Sequence, residues 1–344
     1  MNPIKNIEIK NFKSIRHVKI EDCRRINVFI GYPNVGKSNL LEALSLFSIR
    51  MPMNDIGSIL RMEKPTTLFF DGNVDAPLEI IINGRYQLEG NYIKDIGDIN
   101  FSSIDNLNST EASDNCSFKL KGKAITNWEW KARVLEEKEL YPIKRYEFKK
   151  NLLYEKGPST NLASPFGENI FNVIYANDKL TKQALELFED YQLELIYDSR
   201  DENFLILKKR KGSVLGFTIP YDLIADTLRR VIFYKAAIRT NNNTVLLFEE
   251  PEAHMFPPYM KIFTTDVIFN KSDQFFIATH SPYVLESFMM DAEDDLAVYL
   301  ISYEDGETRV KLLHEKDIDE IRTYGVDLFY NLESYLKHGQ VNHD

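Results

Sequence analysis

The stretch from Asn27 to Ser38 constrains the fold of this 344-residue chain more than any other feature. It holds an apolar run, then the pattern G-x-x-x-x-G-K-[ST], filled by Gly31, Gly36, Lys37 and Ser38, and then the start of an amphipathic helix. Glycines let backbone N–H groups approach phosphate oxygens, and the positive N-terminus of the helix points at the same anion. Lys37 supplies a point charge for the outer phosphates, and a hydroxyl such as that of Ser38 can ligate Mg²⁺. The order of strand, loop and helix therefore predicts a phosphate-binding loop rather than a chance glycine turn.

The composition limits the class of protein. Hydrophobic residues make up 44% of the chain, which is ample for a buried core, and the net charge of −10 argues against a broad, sequence-blind affinity for nucleic acid. Cys23 and Cys116 form no metal-like spacing and no disulfide framework, which is typical of a reducing compartment. The first residues lack the apolar core of a signal peptide, and no apolar run reaches the length of about 18 residues that a membrane span needs. We therefore expect a soluble, cytoplasmic protein with no membrane partner.

Carboxylates and a histidine follow two apolar runs in the second half of the chain. The run at 244–248 ends in Glu249 and Glu250, and the run at 274–278 is followed closely by His280. Strands that deliver such side chains at their carboxyl ends are typical of metal–phosphate sites at the edge of an α/β sheet. Glu249 can hold a hydrated Mg²⁺, and Glu250 can orient or deprotonate an attacking water. His280 can exchange a hydrogen bond with a γ-phosphate.

Local patterns predict the elements around these segments. Alternation with a period of two predicts three strands within 4–30, and the Asn83–Gly84 pair predicts a hairpin in a run of strands that starts at 68–70. Apolar residues at helical spacing predict helices over 180–191 and 223–239.

The order of glycine loop, acidic strand end and Thr-His-Ser-Pro resembles the ABC-type ATPase heads, and among them the RecF/SMC/OLD-like group of AAA-family ATP-binding proteins. The segments that carry the resemblance are 11–15, 31–39, 41–43, 248–254 and 275–282. It implies an α/β P-loop NTPase fold of ABC-ATPase type: a mixed central sheet flanked by helices, with an antiparallel β-lobe and a helical insertion. Within a single head over 1–344 we expect the β-lobe at 66–125, a mainly helical insertion at 129–200, and the second half of the core with a C-terminal tail at 201–344.

The resemblance also implies roles for individual residues, with ATP and Mg²⁺ as cofactors. The residues expected to bind the nucleotide are Gly31, Asn34, Val35, Gly36, Lys37, Ser38 and Asn39. Ser38 and Glu249 would hold Mg²⁺, Glu250 would be the catalytic carboxylate, and His280 would sense the γ-phosphate. Such heads close ATP between two protomers, so the resemblance implies a homodimer or a higher even oligomer that hydrolyses ATP slowly.

The sequence departs from the family pattern at three places. The usual Walker B aspartate is Glu249 here. The best counterpart of the trans-acting Ser-x-Gly signature is the stretch 225–230, which has neither the serine nor the glycine and offers only the Thr227 hydroxyl. The glutamine of the Q-loop has no clear counterpart, and Asp71 and Asn73 are candidates for it.

Several functions fit these features. The first is an ATP-driven switch subunit that controls a separate effector protein, in bacterial anti-phage defence by analogy with stand-alone heads of the group, because neither a long coiled coil nor a Toprim-like domain is present in the chain. The second is a RecF-like DNA repair ATPase, in which the basic stretches at 131–156 and 208–211 contact nucleic acid. A nucleotide-loaded scaffold with little turnover and a P-loop kinase are further alternatives.

Overall fold

The structure, a computed structural model, describes residues 3–49, 56–105, 116–130, 141–189, 191–209 and 216–337. These residues form sheets of six, seven and three strands, together with helices. The strands are β1 (Ile7–Phe12), β2 (Ile15–Ile20), β3 (Ile26–Gly31), β4 (Leu78–Ile82), β5 (Tyr86–Ile93), β6 (Asp98–Asp105), β7 (Cys116–Lys121), β8 (Ala124–Trp130), β9 (Ile143–Tyr146), β10 (Leu193–Asp198), β11 (Asn203–Lys209), β12 (Gly216–Pro220), β13 (Val245–Glu249), β14 (Gln274–Ala278), β15 (Leu296–Glu304) and β16 (Glu307–Leu312). The helices are α1 (Lys37–Ser45), α2 (Gly57–Leu60), α3 (Ile170–Ala176), α4 (Asp178–Glu189), α5 (Asp226–Arg239), α6 (Pro257–Phe269), α7 (Pro282–Asp291), α8 (Glu315–Tyr324) and α9 (Leu332–Lys337).

The six-stranded central sheet has the order β16-β15-β3-β14-β13-β9. Strand β3 pairs in parallel with β15 on one side and with β14 on the other, and β13 pairs in parallel with β14 and β9. Every residue of β3 and β14 is buried, as expected for parallel strands covered on both faces. Because β3, β14 and β13 run in the same direction, their ends at Gly31, Ala278 and Glu249 lie at one edge of the sheet.

The seven-stranded sheet is antiparallel throughout and has the order β2-β1-β4-β5-β6-β7-β8. The hairpin predicted at Asn83 connects β4 to β5, and both Asn83 and Gly84 have positive φ there. The segment 68–70, predicted as a strand, instead lies in two short 3₁₀ turns, the first of which begins at Pro65. Proline fixes a helical φ and suits the first position of such a turn, which explains the difference.

The range 129–200 is less helical than the sequence indicated. Its described part contains β9, irregular chain from 147 to 169, helices α3 and α4, and strand β10. Strand β9 pairs with β13 in the central sheet, so the expectation of helix is wrong there. This strand has only four residues, and its conformation depends on pairing with a partner about 100 residues away, which no local pattern indicates. The division of the chain into head, lobe and insertion stays a prediction.

The central sheet separates two hydrophobic clusters. Side chains alternate along β3, so that Val28 faces one cluster and Phe29 the other. On the first face the sheet packs against α5, α6 and α7, for example through Ile232 and Phe263. On the second face it packs against α1, through Leu40, and against the seven-stranded sheet. This layering fixes the glycine loop and the ends of β13 and β14 relative to one another.

Two further observations concern the helices and Cys23. Among the described residues, no helix is both long enough and apolar enough to cross a lipid bilayer. Cys23 is a buried free thiol, and burial raises its pKa to about 12, so it stays protonated and unreactive near neutral pH.

Candidate functional site

The glycine loop leaves β3 at Gly31 and enters α1 at Lys37. Two of its residues have a left-handed backbone, Asn34 with φ 63° and Gly36 with φ 103°. A Cβ atom on Gly36 would also collide with the hydroxyl of Thr308, so glycine is required there for space as well as for conformation. Turns of this kind direct successive N–H groups into one concavity that favours anions. The loop therefore has the shape that phosphate binding requires.

Side chains from two other elements hold the back of this loop. The Thr308 hydroxyl, on β16, donates to the Val35 carbonyl at 2.9 Å and lies 2.7 Å from the hydroxyl oxygen of Ser14. The Asn39 amide donates to the same Ser14 oxygen at 2.7 Å. The Asn39 nitrogen thus anchors α1 to the turn between β1 and β2, and its contact with a nucleotide stays a prediction.

Lys37 is buried, and its ammonium group is folded back onto the loop. Its Nζ donates to the carbonyl oxygens of Gly31 at 2.9 Å and Tyr32 at 2.8 Å. Burial lowers the pKa of Lys37 to about 8, against the opposing attraction of the Glu250 and Glu249 carboxylates. The side chain is therefore mostly charged at pH 7, and it lies within electrostatic reach of both predicted acidic residues.

Glu249, the predicted metal ligand, lies between two arginines. Arg145 of β9 donates from Nη2 to Glu249 Oε2 at 2.7 Å, and the Nη1 atom of Arg61 lies 3.2 Å from Glu249 Oε1. Arg145 is buried and also donates from Nη1 to the Ile59 carbonyl at 2.8 Å. Both oxygens of the Glu249 carboxylate are thus engaged by guanidinium groups in this structure.

A second buried carboxylate extends this network into α1. Glu42 is fully buried and contacts the ammonium of Lys13 and the Nε atom of Arg61. Burying a carboxylate is costly unless it is paired, and here both of its oxygens have a cationic partner. Arg61 therefore bridges Glu42 to Glu249 and ties α1 to the end of β13. The sequence analysis missed these roles of Glu42, Arg61 and Arg145; the one local signal was a glutamate on the otherwise apolar face of α1.

Glu250 and His280 face each other at the mouth of the site. Glu250 has a left-handed backbone with φ 43°, and its N–H donates to the Ala278 carbonyl at 2.8 Å. The His280 Nε2 atom lies 3.5 Å from Glu250 Oε1, with the two side chains 35% and 50% exposed. Burial and the positive charge of Lys37 lower the pKa of His280, and the Glu250 carboxylate opposes them. The imidazole is therefore neutral at pH 7 and accessible from solvent.

Glu252 fixes the segment that carries His280. Its Oε1 atom accepts hydrogen bonds from the Thr279 hydroxyl at 2.6 Å and from the His280 N–H at 2.9 Å. Burial raises the pKa of Glu252, and its other oxygen is buried without a hydrogen-bond partner among the described residues. Sequence reasoning assigned no role to this residue. The only signal for it was its position two residues after the acidic pair at 249–250.

The structure brings the predicted residues of the three strand ends together. Lys37 lies in the loop and helix that follow β3, Glu249 is the last residue of β13 with Glu250 directly after it, and His280 follows β14. The strands β3, β14 and β13 are successive neighbours in the central sheet. The charges of Lys37 and Glu250 both act on the pKa of His280, so the three groups lie within electrostatic reach of one another. Their assignments as catalytic or metal-binding residues stay predictions.

Other candidates from the sequence lie in different surroundings. The stretch 225–230 forms the start of α5, and the Thr227 hydroxyl there donates to the His254 carbonyl at 3.0 Å. Asp71 and Asn73, the candidates for the Q-loop position, are exposed in the turn before β4, where the Asn73 carbonyl accepts from the Asn11 amide.

The basic stretches show mostly internal contacts in their described parts. These contacts are Lys150 with Asp226 at 3.2 Å, Lys156 with Glu202 at 2.6 Å, Lys209 with Glu194, and Lys149 over the Phe166 ring at 3.4 Å. Residues 131–140 and 210–211 lie outside the described residues, so the predicted nucleic-acid surface can be judged only in part. In that part, neighbouring carboxylates offset much of the positive charge.

The sequence of this chain is similar to those of known ATPase proteins. Residues 3–212 match the family AAA_15, described as an AAA ATPase domain. A relative from Helicobacter pylori, named ATP/GTP phosphatase, is 22% identical over 322 residues, which cover 82% of this chain and 86% of the relative. The DNA replication and repair protein RecF of Thermoanaerobacter is 44% identical over 46 residues, or 13% of each chain.

Solved structures show the same fold. An SMC head bound to the C-terminal winged-helix domain of ScpA is similar with a TM-score of 0.52 at 15% identity, covering 92% of this chain and 99% of that one. An SMC head with an extended coiled coil, bound to the C-terminal domain of ScpA from Pyrococcus furiosus, gives a TM-score of 0.51 at 13% identity, covering 93% and 98%. The chain belongs to the AAA_15 family of AAA ATPase domains, and its fold is that of the SMC heads.

Proposed function

We propose that this chain hydrolyses ATP to ADP and phosphate, slowly, and acts as a switch. One observation carries the proposal. The His280 Nε2 atom lies 3.5 Å from Glu250 Oε1 at the mouth of the glycine loop, and the Lys37 ammonium is close enough to interact electrostatically with both groups. The name of the Helicobacter pylori relative, ATP/GTP phosphatase, supports the same reaction class.

The residues suit an in-line attack of water on the γ-phosphate. The exposed Glu250 carboxylate accepts a proton from the water as the water oxygen bonds to the γ-phosphorus. The bond from that phosphorus to the bridging oxygen breaks, and ADP leaves with the electron pair. The neutral His280 imidazole can donate one hydrogen bond to the γ-phosphate, and the Lys37 ammonium offsets its negative charge.

The residues present also fit one divalent ion bound together with the nucleotide. Hydroxyl and carboxylate oxygens are ligands that Mg²⁺ accepts, and in phosphate sites Mg²⁺ is usually bound by one or two protein groups together with phosphate oxygens and water. Ser38 and Glu249 are the residues that would hold it, and Mg²⁺ when bound neutralises phosphate charge. Glu249 is paired with two arginines, so it would be free to hold the ion only if the half-exposed Arg61 moved away, whereas the buried Arg145 would stay.

We further propose that ATP closes the site between two copies of the chain. The side chains of Glu250 and His280 are exposed to solvent and do not lie in a closed cleft. Large exposed aromatic rings lie on the same segments: Tyr32 in the glycine loop, Phe256 at the start of α6 and Tyr283 in the first turn of α7. A second copy placed over this edge of the sheet would cover the rings and exclude water from the phosphates.

The biological role follows from the family resemblance rather than from the geometry. We propose that the ATP-bound dimer controls a separate effector protein in bacterial anti-phage defence. A RecF-like DNA-binding role is the alternative, and hydrolysis stimulated by DNA with a steep salt dependence would favour it.

ATP turnover and sedimentation velocity of the wild type and four variants test the proposal. We expect Lys37→Ala to lose ATP binding, and Glu250→Gln to bind ATP, form dimers and stop turning over. Lys337→Ala and Glu333→Gln, from an exposed pair on α9, are the matched controls and should behave like wild type. Turnover of Glu250→Gln at the wild-type rate would remove the catalytic assignment. Turnover near background in the wild type, with ATP still bound, would favour a nucleotide-loaded scaffold.

A further inference from the structure

A cavity of about 330 Å³ lies outside the ATPase site, between the segment 152–156, α3, β11 and the turn before α5. Aromatic side chains from each of these elements line it. The ring centroids of Tyr154 and Phe171 are 4.3 Å apart, and those of Phe171 and Tyr221 are 5.3 Å apart. Phe204 packs edge-on against Phe171. The cavity therefore has an aromatic wall assembled from four separate parts of the chain.

Acidic side chains surround this wall. The carboxylates among the lining residues are Glu155, Asp201, Glu202 and Asp222. Lys156 is the one ammonium group among the lining residues that the structure describes, and its Nζ donates to Glu202 at 2.6 Å. The Arg229 guanidinium, which lies over the Tyr221 ring, also donates to Asp222. The four carboxylates still outnumber these two cations, so the cavity carries a negative excess that repels anions and attracts cations.

Two polar atoms of the lining residues have no hydrogen-bond partner among the described residues. They are the hydroxyl of Tyr221, a residue only 3% exposed, and the side-chain oxygen Oδ1 of Asn203. Buried polar groups nearly always have a partner in folded proteins, and a bound molecule is one explanation of such an exception. The Asn203 oxygen can only accept a hydrogen bond, and the Tyr221 hydroxyl can accept one as well as donate one, so an N–H donor suits both atoms.

We propose that this cavity binds an organic cation, namely an ammonium or guanidinium group on a short alkyl chain. Aromatic faces attract such groups, and carboxylates at the rim give charge-assisted hydrogen bonds. The orphaned oxygens accept N–H donors, and the volume is at the lower end of small-molecule sites. The cation comes either as a free small molecule or as the lysine or arginine side chain of a partner protein.

The walls of the cavity connect it to the ATPase site. The segment 152–156 continues the chain from β9, whose Arg145 holds Glu249. On the other side, Arg229 of α5 donates to Asp222 at 2.9 Å. We expect an occupied cavity to change the rate of ATP turnover through these contacts, an expectation that rests on the proposed ATPase function. The binding of the cation itself does not.

Isothermal titration of the full chain with agmatine, butylammonium and the neutral 1-butanol tests the binding. We expect saturable binding of one agmatine or butylammonium per chain and none of 1-butanol. Glu202→Gln should weaken agmatine binding at least fivefold. Lys156→Ala should strengthen it about threefold, because this change removes the opposing ammonium. Glu333→Gln, on the exposed face of α9, is the control and should leave it unchanged.

A second titration separates the two sources of the cation. Binding of acetyl-Gly-Arg-Gly-amide as tightly as agmatine assigns the site to a partner's side chain, and binding of agmatine alone assigns it to a small molecule. The proposal is overturned if no cationic probe binds saturably, or if Lys156→Ala binds agmatine no more tightly than the wild type does.

The rate of ATP turnover with and without agmatine is measured separately and tests the coupling. Saturable binding of agmatine with an unchanged rate of ATP turnover rejects only the coupling. A protein that hydrolyses no ATP in any condition rejects the ATPase function but does not contradict the binding of a cation in the cavity.

Discussion

The guanidinium group of Arg145 donates a hydrogen bond to the carboxylate of Glu249 at 2.7 Å, across the pairing of β9 with β13. Arg145 is buried; its Nη1 atom donates to the Ile59 carbonyl, and the Nη2 atom that holds Glu249 also donates to Glu147 at 3.2 Å. The arginine thus fixes the orientation of the predicted metal ligand from the neighbouring strand. A lysine could not do the same, because it lacks the planar fork that binds several acceptors at once.

The first prediction concerns this ion pair. Arg145→Ala leaves the Glu249 charge with only the half-exposed Arg61, and breaking a buried pair costs about 3 to 5 kcal/mol. We expect chemical denaturation to show a loss of that size in the free energy of unfolding. The control is Arg200→Ala, whose side chain is 86% exposed and whose loss should cost less than about 0.5 kcal/mol. A stability of Arg145→Ala within about 1 kcal/mol of wild type would contradict this account.

The second prediction concerns Glu252 as a positioning residue for His280. Glu252→Leu removes the acceptor for the Thr279 hydroxyl and the His280 N–H, so the imidazole loses its fixed position. We expect kcat to fall at least tenfold, roughly 1.4 kcal/mol, while the Kd for ATP changes less than twofold because the glycine loop is untouched. Glu252→Gln keeps one oxygen acceptor and should retain most of the activity. Equal losses in the two variants would show that the role is structural only.

The third prediction compares two glycines with left-handed backbones. Gly36→Ala introduces both an unfavourable φ and a collision with Thr308, whereas Gly122, with φ 57°, has open space around it in the turn between β7 and β8. Gly122→Ala should cost about 1 kcal/mol of stability and leave ATP binding unchanged. Gly36→Ala should abolish ATP binding in equilibrium dialysis. If the two variants bind ATP equally well, the loop does not need its observed shape.

The fourth prediction concerns pH. The pKa of Lys37 is lowered to about 8 in the free protein, so the ammonium loses its proton as the pH rises through 8. Bound phosphate favours the charged form and raises that pKa, and ATP binding above pH 8 therefore takes up a proton and weakens as the pH increases. Titration calorimetry at pH 8.5 in two buffers of different ionisation enthalpy measures the uptake. Lys37→Arg, which stays charged, is the control. Proton release on binding by the wild type would contradict the assignment.

The parts of the fold with strong local signals could be predicted from the sequence. Strand β3, the glycine loop and α1 follow from an apolar run, a motif and a helical period, and the turn at Asn83 follows from its Asn-Gly pair. The meeting of Lys37, Glu250 and His280 could also be predicted, because parallel strands of one sheet present their carboxyl ends at one edge.

The remaining parts depend on contacts between distant residues. The extended conformation of β9 depends on its pairing with β13. Only this pairing places Glu249 between Arg145 and Arg61, so the role of the two arginines as its partners depends on it too. Likewise, Glu252 resembles any other carboxylate of an acidic loop in the sequence, and its role becomes visible only from its hydrogen bonds with Thr279 and His280 in the fold. A single sequence does not indicate which residue pairs with which, because the two partners of each contact are far apart along the chain.

The hydroxyl that supports the glycine loop belongs to Thr308, which comes more than 270 residues after the loop and lies beyond the strands that flank β3. During synthesis, a chain that has left the ribosome only as far as α5 carries the complete glycine motif but has none of β13 to β16 to surround it. The hydroxyl that fixes the glycine loop is therefore supplied only once β16 has been synthesised and added to the sheet.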